Sequence, residues 1–573
     1  MSDSEAPIEI FQRENEPGRP LARRFASRPF VLLAAAALLL GLYVFFDVIH
    51  YRDYLPHGDD PAFVSGALDS PTSWFTQGYL NYFLVYPEWG TWHSSPLIKP
   101  VTNAVGYLNY VLLGNNYALH FAEFFLVQFI GLLVFVRLLR ELAVPPLPGA
   151  AAITLLFLFN PAFINNGLTC LACHFDVLSG VFTLLAFLAT WQERHVLALL
   201  FLTLGIFTKE SAVFAPLAAA LSVLIWRRSH MMSALLLLPL PLWAAARSFA
   251  YGGVVEPDLS PPASQMATGL LIWPTGLVPF DLFRQPDSFL PSSRYEIVST
   301  VFLVANVGLW ILLCSAALTV VRRRVGAPDR ADLTAGLLLW TLGALSFGVL
   351  VGFGPNYGGS IYPFLYLFLA TFLFSPAWRV PRWVAASVVL VLASATAVQS
   401  IRVVRLALAW RTDLALERAL HDALKALPQD GRTVYVVNAS RGLASAPRHL
   451  TQAWSLNLDL VIVNQFAGCT ASSDAGSMQV VNGDAGMLSV RIPDCAAFNF
   501  GAATLNVLKN ETGIGLKRNA IGTYDFPNGT TASEAEPLDF GRTLMLQFDR
   551  SATSITLIGY NWGSMGYDVI RRF

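Results

Sequence analysis

VLALLFLTLGIFTKESAVFAPLAAALSVLIW, residues 196–226, is apolar except at its middle, where Thr208-Lys209-Glu210-Ser211 interrupts it. Arginines flank it on both sides, in WQERH (191–195) and WRRSH (226–230). Basic turns mark the cytoplasmic face of a membrane protein, so both flanks belong on one side and the run must cross an even number of times. It reads as a hairpin of two short helices, 196–208 and 211–226, whose bend carries Lys209 and Glu210 to the outer side. Ionisable groups at membrane depth are costly and usually face a cavity. A mutually neutralising Lys209-Glu210 pair is the alternative reading.

The rest of the chain follows the same grammar. Of 573 residues, 54% are hydrophobic and 13% charged, with 40 Phe, whereas soluble domains carry about 25% charged residues. The expected fold is an α-helical polytopic membrane protein. Lys+Arg and Asp+Glu each total 38, so the charge balance points to no nucleic-acid partner. Apolar stretches at 29–48, 117–138, 148–166, 174–191, 196–208, 211–226, 231–249, 297–320, 332–353, 361–377 and 383–400 predict about eleven transmembrane helices. RLLRELAVPP (137–146), VRRRVGAPDR (321–330) and AWRVPRW (377–383) join the inner turns. The polar tail 1–28 is expected to stay cytoplasmic, ahead of a retained first span with no small-residue cleavage site after it. The expected location is the inner (plasma) membrane of a bacterium.

This arrangement divides the chain into the tail, a membrane domain over 29–400 with long outer loops at 49–116 and 250–296, and a segment 401–573 on the periplasmic or extracellular side. After Ser400 an amphipathic helical pattern is followed by RTVYVVNAS (432–440), LDLVIVNQ (458–465), MLSVRI (487–492) and SITLIGY (554–560). These read as short strands of a soluble α/β or β-rich domain. Cys469 and Cys495 both fall in it, and an outside location permits a disulfide between them. A different pair, in Cys170-Leu171-Ala172-Cys173-His174, has the spacing of a c-type haem attachment site. It occupies a tight outer turn between two spans with no soluble domain around it, so no haem is expected; His174 and Asp176 read as the polar tip of that turn.

The first outer loop is too long for a mere turn, which suggests function. His57, Asp59 and Asp60 stand at its start and His93 further on. Adjacent carboxylates suit general-base chemistry, because each raises the other's proton affinity. The second loop mixes Pro, Gly and aromatic residues, and Arg247, Arg284 and Arg294 in and beside it could meet an anionic phosphate.

HGDDPAF (57–63), then SSPLIKPVTNAVGYLNYVLLGNNYALHFAEFFLVQFIGLLVFVRLLREL (94–142), then LGIFTKESAVFAPLAAAL (204–221) together resemble the integral-membrane glycosyltransferases of the GT-C class. The likeness is to protein O-mannosyltransferases and lipid A aminoarabinose transferases, and it covers approximately residues 29–400. It implies a sugar donor linked to polyprenyl phosphate, an acceptor hydroxyl on a glycan, lipid or secreted protein, and a surrounding of membrane lipids. By the same resemblance the catalytic base is Asp59 or Asp60, and a second acidic position falls at Asp176 with His174 beside it. Lys209 would pair with the donor phosphate, with Arg247, Arg284 and Arg294 as further phosphate ligands. His57, His93, His174, Asp176 and Glu210 would line the acceptor cavity. Where the family often carries an Arg, SSPLIKP offers Ser95 and Lys99. Metal dependence is left open by the residues, since Asp59, Asp60 and Asp176 could hold a divalent cation through oxygen ligands. The competing expectation is a transporter or flippase of a lipid-linked sugar; the collection of polar residues in outer loops, without matched broken helices in two repeats, weighs against it.

Overall fold

The computed structural model describes residues 55, 100–114, 116–142, 144–153, 174–251, 292–322, 330–351, 359–374, 380–437, 450–451, 454–462 and the strands between 479 and 572. The described part is mostly helical. Its helices are α1 (Pro100–Leu113), α2 (Tyr117–Glu141), α3 (Pro146–Ile153), α4 (His174–Trp191), α5 (His195–Thr208), α6 (Phe214–Arg227), α7 (His230–Leu237), α8 (Pro239–Tyr251), α9 (Ser292–Arg322), α10 (Arg330–Val351), α11 (Tyr362–Phe374) and α12 (Arg382–Lys425). Among the described residues, three stretches are long and apolar enough to cross a membrane: Tyr117–Glu141, His174–Trp191 and Glu210–Arg227, the last being a 3-10 turn that runs into α6. The expected first span, 29–48, lies outside the described residues.

At the centre stands α11. Its residues from Tyr362 to Leu373 are all buried, as expected of a helix that is apolar all round. It touches α2, α3, α4, α10 and α12. Beside it, Trp340 of α10 meets Phe187, Phe214 and Phe364 at ring-centroid distances of 5.3, 6.3 and 5.1 Å. The indole N–H donates to Ser222 Oγ at 3.2 Å, which satisfies the polar atom that its burial would otherwise strand. Helices α4, α6, α10 and α11 are thus locked by one aromatic knot.

The opening stretch folds as two short helices, α5 and α6, with the break at Lys209 and Glu210. Lys209 is extended (φ −153°, ψ 134°), which ends α5. At the other end of the pair, Arg227 forms an ion pair with Glu193, joining WRRSH to WQERH. The two Arg-bearing turns therefore lie together at one end of the bundle and the Lys209 bend lies at the other.

Two expected elements differ in detail. The span read at 231–249 is two helices, α7 and α8, parted at Leu238. Pro239 opens the second, because a residue without an N–H fits the first turn of a helix but interrupts an interior. The residue boundary expected at 400/401 falls inside α12, which is 44 residues long in all. At 1.5 Å per residue it is about 66 Å long, well beyond the roughly 30 Å hydrocarbon thickness.

Beyond α12 lie two sheets. One has the order β2-β1-β8-β9, in which β1 (Thr433–Val437) runs parallel to both β2 (Asp459–Ile462) and β8 (Ile555–Asn561), and β9 (Gly566–Arg572) pairs antiparallel to β8. The other is antiparallel, β3-β4-β7-β6-β5, with β3 (Gln479–Asn482), β4 (Met487–Ile492), β5 (Thr523–Asp525), β6 (Thr531–Ala535) and β7 (Arg542–Gln547). The four strand segments read from sequence match β1, β2, β4 and β8. The remaining five carry polar or short patterns, such as TASEA in β6, that hydropathy alone does not single out.

Just before β1, Arg432 clasps Asp430 through Nε at 2.8 Å and Nη2 at 2.6 Å. This bidentate contact lowers the Asp430 carboxyl from 3.8 to about 2. The sign follows from linkage: the carboxylate's contribution is fully present above its unfolded value and is lost as pH falls through about 2. A carboxyl-carbon NMR titration should place the Asp430 midpoint near 2, and Arg432→Gln should return it toward the ordinary aspartate range.

Candidate functional site

The polar end of the bundle is assembled from α4, the Lys209 bend and the turn before α11. His174 and Asp176 lie in the first turn of α4, and both are buried, Asp176 at 2% exposure. The sequence places them at the polar tip of a turn, and the structure places both in the helix itself, with His174 as its first residue. Since α5 runs antiparallel to α4, its C-terminus returns to the same level, and Lys209 Nζ stands 4.0 Å from Asp176 Oδ2. The Lys209 side chain is 13% exposed. The ion pair shown for Lys209 is thus with Asp176, 33 residues earlier in the chain. Glu210, buried in the 3-10 turn, adds a second carboxyl from the bend.

Hydroxyl groups complete this cluster. Ser211 Oγ lies 3.5 Å from Asp176 Oδ1, at the long edge of a hydrogen bond. Ser360 Oγ donates to the Ser211 carbonyl at 3.2 Å, and Ser179 Oγ to that of Gly205 at 3.2 Å. From α1, Thr102 Oγ1 donates to the Thr208 carbonyl at 2.6 Å, capping the end of α5. Side chains from three other segments thus bond to backbone carbonyls on both sides of the Lys209 break, which fixes the bend.

Close backbone approach makes this possible. A Cβ on Gly180 would collide with the Gly359 carbonyl, and one on Gly359 would lie 2.6 Å from the Asp176 carbonyl. The missing side chains let α4 lie directly on the turn that carries Ser360.

On the α2 side, the His174 ring stacks on Phe124 (4.2 Å, 25°) and meets the edge of Phe121 (5.2 Å, 70°). Next to it is a cavity of about 20 Å³ lined by Asn109, His120, Glu123 and His174 among others. That is enough for a single water, which needs roughly 10–15 Å³. Asn109 Nδ2 donates to Glu123 Oε2 at 3.0 Å, and His120 Nε2 is 2.9 Å from the Gly114 carbonyl. The sequence reading passed over His120 and Glu123, though both interrupt the apolar face of a spanning helix and carry the usual sign of a functional position there. Ser211, Ser360 and Asn109 carried no such sign.

Of the residues expected at the site, His174, Asp176, Lys209 and Glu210 are brought to this one end. Arg247 falls in α8 and Arg294 in the first turn of α9. His57, Asp59, Asp60, His93 and Arg284 lie outside the described residues, as do Cys170, Cys173, Cys469 and Cys495. Among the described residues, no group of three His, Cys, Asp or Glu side chains could hold a metal; Asp176 is engaged instead by an ammonium and a hydroxyl. The chain matches no family model, and no curated protein matches it either.

Proposed function

We propose that the chain is a membrane glycosyltransferase that moves a sugar from a polyprenyl-phosphate donor to an acceptor hydroxyl. The observation that carries this reading is the Asp176–Lys209 pair, an acid and a base held almost out of solvent at the end of an apolar bundle. Isolated charges at such a depth are expensive, so a pair placed there marks a position that handles polar chemistry. A polyprenyl-phosphate sugar requires such a position, because its tail remains in lipid while its phosphate and sugar must be met at the membrane surface.

The reaction is a single displacement. The acceptor oxygen attacks the anomeric carbon and a new C–O bond forms there. The bond from that carbon to the phosphate oxygen breaks, and its electron pair leaves with the polyprenyl phosphate. The acceptor's proton passes to the carboxylate of Asp59 or Asp60, and the anomeric configuration inverts. Lys209 meets the charge that grows on the departing phosphate, and Arg247, Arg284 and Arg294 are further candidates for that contact. Asp176 holds Lys209 in place, and His57, His93, His174 and Glu210 border the acceptor. A divalent cation at Asp59 and Asp60 would supply additional charge for the same phosphate.

The proposed setting is a bacterial inner membrane crossed about eleven times, with the N-terminus in the cytoplasm and the sheets forming a periplasmic or extracellular domain. Two features support it. The Arg-bearing turns at 191–195 and 226–230 share one end of the bundle through the Arg227–Glu193 pair. Helix α12 starts within another Arg-bearing segment and is long enough to leave the membrane on the far side.

Full-length protein in detergent, given a polyprenyl-phosphate sugar and a mixed acceptor pool, should release polyprenyl phosphate and label an acceptor. Binding of the lipid with no release of polyprenyl phosphate would overturn the transferase reading in favour of a flippase.

A further inference from the structure

Where α3, α11 and α12 diverge, they border an open-sided cavity of about 600 Å³, within the range of roughly 300–1,000 Å³ typical of ligand pockets. Its walls are apolar, with Ala151 and Ala152 from α3, Leu369 and Leu373 from α11, and Ala386 and Leu392 from α12. Among the described lining residues the only charged one is Arg382, the exposed first residue of α12.

The position of this cavity separates it from the polar end. Helix α11 begins beside Ser360, which bonds to Ser211 next to Asp176, and the cavity lies along its second half and last turn. Helix α3 starts at Pro146, the last residue of RLLRELAVPP, and α12 starts within AWRVPRW. Two segments that charge assigns to the cytoplasmic side therefore lead into α3 and α12, two walls of the cavity.

An apolar slot between apolar helix segments with a guanidinium at its end is complementary to one kind of molecule: an acyl chain attached to an anionic phosphate. The chain displaces nothing better than other lipid from the alanine-walled slot, so the selectivity must come from the head. There the planar guanidinium can take two phosphate oxygens at once. Basic pockets between helices on the cytoplasmic side are a recurrent way of holding anionic lipids. We propose that this cavity is a site for an anionic glycerophospholipid of the cytoplasmic leaflet, with one acyl chain between α3, α11 and α12 and its phosphate on Arg382. It is separate from the donor site proposed at Lys209, and stands or falls independently of the transferase reading.

Native mass spectrometry of the full-length protein in detergent tests it, with phosphatidylglycerol, phosphatidylcholine and polyprenyl phosphate as probes. Wild type should retain one phosphatidylglycerol at least tenfold more tightly than phosphatidylcholine. Arg382→Gln should erase that preference, and Ala386→Trp, which puts an indole into the slot from an exposed position, should lower occupancy about tenfold. Arg382→Gln, at an exposed site, decides the matter if the tryptophan variant fails to fold. Equal retention of the two phospholipids by wild type, or an unchanged preference in Arg382→Gln, would overturn the proposal. So would one-for-one displacement of phosphatidylglycerol by polyprenyl phosphate, which would make the cavity part of the donor site.

Discussion

Lys209→Met is expected to lower sugar transfer by about 10²–10³-fold, the usual consequence of removing one charge-stabilising donor from a reacting centre. The substitution keeps most of the side-chain length but removes the ammonium. It also leaves Asp176, only 2% exposed, facing no cation from that side. Breaking a buried pair by deleting one partner costs on the order of 3 kcal/mol, because the remaining charge stays desolvated. Loss of activity alone would therefore not separate catalysis from folding. The double variant Asp176→Asn/Lys209→Met makes that separation: with both charges gone, most of the stability should return while transfer stays lost. The checks are the melting temperature in detergent and the release of polyprenyl phosphate, measured on the same preparations. Recovery of transfer in the double variant would show that Lys209 serves only the packing of α4 against the bend.

Gly180→Val should destabilise the bundle by about 3 kcal/mol or more, the upper part of the range for overpacking. Most core substitutions can be absorbed by shifts of flexible side chains, but here the obstacle is the backbone carbonyl of Gly359, and the partner turn has no rotamer to change. Any relief must push α4 away from residues 359–361, which would also withdraw Ser360 from Ser211 and Asp176 from Lys209. Gly308→Ala is the contrasting case. Gly308 lies in α9 with nothing within 4 Å of an added Cβ, so the substitution should be neutral or gain up to about 1 kcal/mol from helix propensity. Thermal unfolding of the two variants beside wild type reads the difference. Equal melting of Gly180→Val and wild type would mean that α4 and the 359–361 turn do not touch as described.

The legible part of the site illustrates how far charge and hydropathy reach. The position of the bend at 208–211 follows from counting crossings between two Arg-bearing flanks, and the chain does stop being helical at Lys209. Helix α4 begins at His174, the first residue of the expected span, so the level of His174 and Asp176 relative to the bend was also readable. Their burial was not. A short polar segment between two apolar runs resembles a solvated tip whether water or another helix covers it, and only the packing of α2 and the 359–361 turn onto α4 decides between them.

Hydropathy along the sequence, and the side on which its arginines fall, determined what depends on neighbouring residues alone: the apolar helices, the break between α5 and α6, and four of the strands. Each of these reflects the cost of exposing or burying a local stretch, which the stretch itself carries. The tertiary structure alone decided that Lys209 pairs with Asp176 across two helices, and that two glycines 179 positions apart bring α4 onto the start of α11. It likewise decided that α3, α11 and α12 leave an apolar cavity beside Arg382. Those features depend on which helices lie side by side, a choice set by the shape complementarity of whole faces, and in lipid the closeness that small residues permit weighs more than hydropathy, which no longer distinguishes one apolar face from another.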